Sequence, residues 1–342
     1  TIEAGRITVW GEVFDIESRE TRDGSRKIYS IDITDYTNSI TLKLIQQAND
    51  CAKIDDIKKG TALLVTGSVE YDKYDRENVM RPNTIFRAEM VEVVDTAKEK
   101  RVELHLHTNM SAMDGMTPAG ELIDRAYKWG QKALAITDHA PAMPDAPHRW
   151  HFENPTALPR TIDGVVMLYG AEANVVDAKG HLDLPPRILE YQDWVVASIH
   201  SPCVPGLLTR KEANRIWLAV AENPYVDCIG HSEQENYRYD YDLVTKAFAA
   251  NHKVVELNGN SFNVRKDGIP NMKALLAACL IAVDSDAHST WQLRHGLTAL
   301  YGMLEEMNFP EELIINATTA NLTAELKLHG KACAEEVGGI LV

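Results

Sequence analysis

Short runs of β-branched and aromatic residues dominate the first part of the chain. The runs are ITVWGEVFDIE, KIYSIDITDY, SITLKLI, ALLVTGSVEY and the stretch around TIFRAEMVEVV. Turn-forming residues such as Arg22-Asp23-Gly24-Ser25 separate them, which is the pattern of strands joined by tight turns. The sequence therefore predicts an all-β domain over residues 1–95, followed by a polar linker over 96–101.

From residue 102 onward, short apolar runs alternate with amphipathic, helix-like stretches such as AGELIDRAYKWG and YDLVTKAFAANH. Strands that alternate with helices predict a parallel sheet. The chain offers seven such runs, Val102–Leu106, Ala133–Thr137, Val165–Gly170, Trp194–Ile199, Val226–Ile229, Lys253–Leu257 and Ile281–Val283.

The two patterns predict an α/β fold class in which a small all-β domain precedes a larger one. Five short strands in under a hundred residues suggest a small closed barrel, for which the OB-fold is a natural candidate. The seven strand–helix units over 102–342 favour a closed (βα) barrel over an open sheet.

Composition narrows the function classes. The 342 residues carry a formal net charge of −15, which argues against a broad nucleic-acid-binding surface. No apolar run reaches ~18 residues and the first residues lack a secretory signal, so we expect neither a membrane partner nor export. The five cysteines are widely spaced without a CxxC, which favours a cytoplasmic protein without disulfides or a thiolate zinc site.

Polar metal-ligand residue types follow nearly every predicted strand of the second region. The active site of a βα barrel lies where the strands end. Chance rarely places a histidine or carboxylate at almost every such end, so we predict a metal site. The residues are His105, His107, Asp138, His139, Glu172, His200, His231, Glu256, Asn258, Asp284, Asp286 and His288.

The chemistry of these residues indicates hydrolysis. His105 and His107 share one face of a strand, because side chains alternate. Imidazole and carboxylate without thiolate suit Zn, Mn or Fe. The ligands exceed what one ion needs, so we expect two or three ions with Glu172 as a bridge. Such a cluster generates a metal-bound hydroxide and stabilises a leaving oxygen, which suits phosphoester hydrolysis.

Six motifs carry a family resemblance. They are HLHT at 105–108, ITDHA at 136–140, GAEAN at 170–174, SIHSP at 198–202, IGHSE at 229–233 and VDSDAHS at 283–289. In this order they resemble the PHP superfamily, named for polymerase and histidinol phosphatase. The resemblance implies a distorted seven-stranded (βα) barrel that holds up to three metal ions.

The resemblance also implies a ligand set. Standalone phosphatases of the superfamily often carry a histidine at the position of Met113, whereas polymerase-type domains place an aspartate where this chain has Asp114. By position, the first ion would be held by His105, His107, Glu172 and Asp286, the second by Glu172, His200 and His231, and the third by Asp114, His139 and His288.

Two kinds of relative share the resemblance. The first region and the sequence through ITDHA are similar to the OB and early PHP segments of the PolC-type DNA polymerase III alpha subunit. PDAPHRWHFEN and GAEANVVDAKGHLDL look more like the standalone phosphatases. Two hypotheses follow: a metal-dependent phosphoesterase acting on a phosphomonoester or a nucleic-acid end, or a polymerase accessory module, without exonuclease or palm, that binds DNA or is structural.

Substrate contacts are predicted in two loops. PHRWHFEN offers His148, Arg149 and His151, and Arg149 is suited to a bidentate phosphate contact. Asn258, Asn263 and Arg265 form a second group after the sixth strand. A polar loop without function is the alternative in both places. Four other histidines, His181, His252, His295 and His329, are predicted to lie on the surface.

The all-β region offers a candidate contact for single-stranded DNA. Arg22, Arg26 and Lys27 could follow phosphates while aromatic side chains stack on bases. The region nevertheless holds more acidic than basic residues, and small barrels need aromatics in their cores, so packing is the main expectation for the aromatics. They are Trp10, Phe14, Tyr29 and Tyr36.

Overall fold

The computed structural model describes residues 5–35, 38–89, 95–144, 146–204, 206, 208–232, 238–261 and 280–340. The chain divides into two compact units, Thr1–Val93 and Val94–Val342. Within the described part of the chain, no helix combines the length and apolar character needed to cross a membrane.

The first unit is a closed five-stranded barrel in which the strands follow the order β1-β2-β3-β5-β4. The predicted small closed barrel is therefore confirmed. Alternate side chains such as Val13, Ile31 and Leu42 point inward and are fully buried. The elements are β1 (Gly5–Glu20), β2 (Arg26–Thr34), β3 (Ser39–Gln47), α1 (Ala52–Asp55), β4 (Ala62–Asp72) and β5 (Glu77–Arg87).

The second unit is a mixed α/β domain with two described sheets. Its strands are β6 (Ala133–Ile136), β7 (Thr161–Ile162), β8 (Val165–Tyr169), β9 (Ala171–Asn174), β10 (Val195–Ser198), β11 (Cys228–Ile229), β12 (Val254–Asn258) and β13 (Ile281–Asp284). Its helices are α2 (Ala119–Lys128), α3 (Pro186–Leu189), α4 (Arg210–Glu222), α5 (Tyr241–Ala250), α6 (Thr290–His295), α7 (Thr298–Glu306), α8 (Thr319–Leu328) and α9 (Ala334–Gly338).

The strands from β9 to β13 form one parallel sheet in sequence order, and β6, β8 and β7 form a smaller sheet. Most of these strands are short and wholly buried, as expected for a parallel sheet covered on both faces. Helices supply the cover. The apolar side of α2, for example, packs Leu122, Ile123 and Ala126 into the core beside the smaller sheet.

The seven-strand count of the predicted barrel is not confirmed, because the described strands of the second unit form two separate sheets. Within the described residues, the predicted run Val102–Leu106 pairs with its neighbours through isolated bridges, at Glu103–Leu134 and Leu106–Ala287. Side-chain oxygens accept hydrogen bonds from backbone amides that would bond to a neighbouring strand in a regular β-ladder. The Leu104 amide donates to Asp284 at 2.9 Å, and the Leu106 amide donates to Thr137 Oγ1 at 3.0 Å.

Gly170 ends the predicted run Val165–Gly170 and separates β8 from β9. The chain passes from β8 in the smaller sheet to β9 in the larger one at this residue. A Cβ atom built on Gly170 would lie 2.2 Å from the Trp194 carbonyl oxygen, so only glycine allows this close approach. Two strands of different sheets therefore follow one another with a single glycine between them.

His329 is not the surface residue that the sequence predicted. Its Nδ1 lies 2.7 Å from Asp227 and its Nε2 lies 3.0 Å from Glu325, and the side chain is only 9% exposed. Lys331 completes the cluster with Nζ 2.6 Å from Asp227. His181, in contrast, is exposed as predicted and pairs with Asp177.

Candidate metal centre

The predicted ligands from six separate segments converge on one cavity of about 180 Å³ in the second unit. Glu172 lies on β9, while His139, His200 and His231 follow β6, β10 and β11, respectively. The carboxyl ends of parallel strands meet at one edge of a sheet, which brings these side chains together.

Glu172 lies at the centre of the cluster and is fully buried. Its Oε1 is 2.9 Å from His231 Nε2, 3.4 Å from His200 Nε2 and 3.5 Å from His105 Nε2. Its Oε2 is 2.7 Å from His139 Nδ1 and 3.5 Å from His107 Nε2. One carboxylate is therefore surrounded by five imidazoles, an arrangement suited to bridging cations.

Asp286 forms a second focus of the cluster. Its Oδ1 lies 3.2 Å from His107 Nε2 and 3.6 Å from His105 Nε2. The backbone φ angles of Asp286 and His231 are +50° and +26°, values that residues other than glycine rarely adopt. Such strained residues concentrate at functional sites, where the surrounding structure holds them in place.

Asp114 approaches both residues that the resemblance groups with it. Its Oδ1 is 3.4 Å from His288 Nε2 and 3.7 Å from His139 Nε2, and its side chain is partly exposed at the mouth. The preceding loop is tight, since a Cβ on Gly115 would lie 2.0 Å from the Thr108 carbonyl oxygen. The loop thus holds Asp114 over the cluster.

Hydrogen bonds to the second ring nitrogen orient the histidines. His105 Nδ1 lies 2.6 Å from Glu256 Oε1, and His200 Nδ1 lies 2.7 Å from Asn174 Oδ1. His107 Nδ1 lies 3.1 Å from the Ser111 hydroxyl. Each contact leaves Nε2 facing the cluster, which is the arrangement that fixes the tautomer of a metal-bound histidine.

The sequence reasoning did not assign roles to Asn174 and Ser111. The alternation of side chains along β9 offered a signal for Asn174, because it stands two residues after Glu172 and shares its face. Ser111 lies in an irregular loop, where spacing carries no such information. Asp138, which the sequence placed among the residues at the strand ends, accepts hydrogen bonds from Thr108 and Ser111 and so belongs to the orienting groups.

Charge is distributed unevenly over the cluster. Burial raises the pKa of Glu172, but the surrounding histidines, His200 foremost, hold it well below its usual value. Burial and neighbouring histidines lower the pKa of His107 to about 4. Burial also lowers the pKa of His139, but the carboxylates of Glu172 and Asp114 outweigh it and raise the value to about 10.

The donor set fits a group of divalent cations. Among the described residues, both ring nitrogens of His139, Nε2 of His288 and Oε2 of Glu172 are buried and form no hydrogen bond of regular geometry, although charge contacts join them to one another or to Asp114. Buried polar atoms normally form hydrogen bonds, so imidazole and carboxylate atoms that converge without them indicate cation binding. Three sets of ligand atoms lie close enough to share an ion: His105 with His107 and Asp286, His107 with His139 and His288, and His139 with Glu172 and His200.

None of the described residues that were predicted to contact substrate lines this cavity. Arg149 pairs with Glu153 at 3.1 Å, and His148 accepts the Trp150 amide at 3.2 Å. His151 pairs with Asp138 at 3.2 Å. Arg265 and Asn263 lie outside the described residues.

Asn258 is fully buried and contributes to the support of the cluster. Its Nδ2 donates to Glu256 Oε2 and to Asp286 Oδ2, both at 3.0 Å. The cavity itself is lined by predicted ligands together with Met143, Asn260 and Ser261. No lysine or arginine of the described residues lines it.

The side chains of the barrel that were predicted to contact DNA differ in their exposure and in their partners. Arg22 and Arg26 are exposed in the β1–β2 hairpin, whereas Lys27 pairs with Asp55 at 2.6 Å. Tyr29 is buried and donates its hydroxyl to Asp55, as its predicted packing role requires. Trp10 and Phe14 are exposed, and Tyr36 lies outside the described residues.

Comparisons with known proteins agree with these motifs. Residues 103–265 match the PHP domain family. A "probable phosphatase" of Clostridium novyi (strain NT) is 38% identical over 237 residues, which cover 67% of this chain and 96% of the relative. A "probable phosphatase" of Caldicellulosiruptor saccharolyticus is 35% identical over 67% of this chain and 97% of its own length.

Among solved structures, the chain is similar to a histidinol phosphate phosphatase of Lactococcus lactis, crystallised with zinc, L-histidinol and phosphate. The identity is 19% and the TM-score 0.41, and the match covers 62% of this chain and 95% of that protein.

Proposed function

The chain belongs to the PHP domain family and is an enzyme of the phosphatase class, and from that premise we propose that it is a metal-dependent phosphoesterase with a trinuclear site. The observation that carries the proposal is the convergence of buried histidine nitrogens and carboxylate oxygens around Glu172. The rival hypothesis of a polymerase accessory module finds no support in the relatives described above.

Each ion has its own set of residues in this proposal. Glu172 belongs to two sets, since its two oxygens face different histidines. Asp114 takes a place in the third set because its Oδ1 lies between His139 and His288. The sets are His105, His107, Glu172 and Asp286; Glu172, His200 and His231; and Asp114, His139 and His288.

When bound, divalent ions neutralise phosphate oxygens, lower the pKa of water and stabilise the leaving oxygen. The chain's own residues prepare the site for that chemistry. Glu256 and Asn174 fix the rings of His105 and His200, and Asn258 holds the outer oxygen of Asp286. The left-handed backbone at Asp286 directs its carboxylate into the cluster.

We propose a phosphomonoester as the substrate class. The cavity of about 180 Å³ accepts a phosphate group and little else. Its described lining offers no lysine or arginine side chain, so bound ions would neutralise the negative charge of the phosphate. Asn260 and Ser261 supply further polar side chains of the lining that could contact a small substrate.

The test uses the full chain, stripped by a chelator and reloaded with Mn²⁺ or Zn²⁺. We expect two to three ions per chain and hydrolysis of p-nitrophenyl phosphate. His107→Ala and Asp286→Asn should lose both metal and activity, whereas His181→Ala, an exposed histidine of the same unit, should keep both. A fully loaded protein that hydrolyses neither a phosphomonoester nor a DNA 3′ end would overturn the proposal.

A further inference from the structure

An apolar cavity of about 400 Å³ lies beside the metal cluster in the second unit. Ile136 and Asp138 line it, whereas His139 lines the metal cavity, because successive side chains of an extended segment point to opposite sides. Ile123 of α2 and Met167 of β8 form further walls. A molecule in this cavity would therefore meet α2 and the smaller sheet rather than the ions.

The size and lining of the cavity indicate a ligand. Protein interiors rarely keep voids much larger than a water molecule, and binding sites are typically concave and mostly apolar. The apolar side chains of Met110 and Leu158 line the cavity and are 46% and 47% exposed. Their exposure marks an apolar entrance for a small molecule with an apolar body.

One end of the cavity is polar. The carboxylate of Asp138 is fully buried, and His151 Nε2 lies 3.2 Å from its Oδ2. The Asp138 carboxylate is placed to accept a hydrogen bond from Nε2 in this contact, and the tautomer of His151 with its proton on Nε2 leaves Nδ1 as an acceptor.

We propose that this cavity binds a small apolar alcohol or phenol whose hydroxyl donates to His151, and that Asp138 and Ser111 transmit its binding to the predicted metal ligands. An acceptor at the polar end selects a hydroxyl donor, and the apolar walls select a hydrocarbon body. The transmission part rests on the proposed function, whereas the binding part does not.

The route of transmission consists of direct contacts. The Ser111 hydroxyl donates to Asp138 Oδ1 at 2.9 Å, lies 3.1 Å from His107 Nδ1 and accepts the His139 amide at 3.0 Å. A hydroxyl that donates to Nδ1 of His151 polarises the ring and so changes the contact that Nε2 makes with the Asp138 carboxylate. Because Ser111 contacts both His107 and His139, a change in its hydrogen bond to Asp138 affects both predicted ligands.

Binding is tested by calorimetry on the full chain, with 4-ethylphenol as the probe and ethylbenzene as the probe without a hydroxyl. We expect one site for 4-ethylphenol. His151→Phe should weaken it about threefold to tenfold, the size of one net hydrogen bond, and leave ethylbenzene unchanged.

A substitution that fills the cavity is the decisive test of binding. Ile162→Trp, at the cavity wall, should abolish binding of both probes, and Leu158→Trp, at the exposed entrance, serves the same purpose if the first variant does not fold. Leu243→Trp, at an exposed position of α5, is the matched control and should bind normally. Absent binding to the unmodified chain, or binding that survives the folded cavity variants, overturns the site.

Transmission is tested through Mn²⁺ affinity rather than activity. Saturating 4-ethylphenol should change that affinity about fivefold or more, and Mn²⁺ should change 4-ethylphenol affinity by the same factor, because coupling is reciprocal. In Ser111→Ala the factor should fall to one while 4-ethylphenol still binds. An unchanged Mn²⁺ affinity in the unmodified chain overturns transmission, whereas a chain that binds no Mn²⁺ overturns the proposed function and leaves the calorimetric result standing.

Discussion

The buried histidine His329 should make the stability of the second unit depend on pH. Asp227 contacts His329 Nδ1 at 2.7 Å, Lys331 at 2.6 Å and the Val195 amide at 2.8 Å. It precedes β11, at the end of the strands opposite the metal cluster, where βα-barrel residues serve stability. His329→Gln removes the titrating charge from this cluster.

The magnitude follows from the pKa of His329. Burial lowers that pKa, but hydrogen bonds to Asp227 and Glu325 outweigh it and raise the value from 6.5 to about 9. The protonated ring stabilises the fold, so this contribution is complete below pH 6.5 and is lost as the pH rises through 9. The shift corresponds to about 3 kcal/mol at most, and to about 2 kcal/mol after solvent screening.

The assay is urea unfolding of the chelator-treated chain, followed by tryptophan fluorescence, at pH 6.0, 7.5 and 9.5. Trp194 is buried with its ring centroid 6.3 Å from that of His329, so it reports on this region. The unmodified chain should exceed His329→Gln by about 2 kcal/mol at pH 6.0 and by much less at pH 9.5. The exposed control His181→Gln should show no such trend, and a difference that stays constant over this pH range refutes the reasoning.

Three further predictions concern the site and the division of the sheets. Asn174→Leu removes the group that orients His200 and should weaken Mn²⁺ binding about tenfold to a hundredfold in a metal titration. An unchanged Mn²⁺ affinity would contradict the orienting role of Asn174. Asp114→Ala should lower the metal content by one ion per chain, measured by elemental analysis, while Asp114→His should retain it; an unchanged content in the alanine variant would place the third ion elsewhere. Gly170→Ala brings a Cβ against the Trp194 carbonyl and should lower the free energy of unfolding by about 1–3 kcal/mol in urea titrations; a melting temperature equal to that of the unmodified chain would contradict the close approach.

The sequence alone determined much of the candidate site. His105, His107 and Glu172 stand in short motifs at strand ends, and two general rules then suffice to bring them together. Side chains alternate along a strand, and parallel strands end at one edge. The closed barrel of the first unit was predictable for a similar reason, because five alternating runs joined by tight turns have few other ways to bury one face.

Contacts between distant residues were decided only by the tertiary structure. His329 looked like a surface residue because Asp227, its partner, stands 102 positions earlier in the chain. Lys27 looked free for a phosphate, but Asp55 reaches it from α1. Pairing of this kind depends on distances between elements, and no local pattern contains them.

The division of the strands between two sheets also required the three-dimensional structure. The predicted run Val165–Gly170 is followed at once by a second strand that the sequence did not separate from it, and the approach of the Trp194 carbonyl explains why glycine stands where the chain changes sheets. The segment Val102–Leu106 has the composition of a strand, yet side chains from Asp284 and Thr137 take amides that a ladder would use. Local sequence determines which residues tend to be extended and which carry the chemistry, whereas the partner of each backbone amide is decided by packing between segments far apart in the chain.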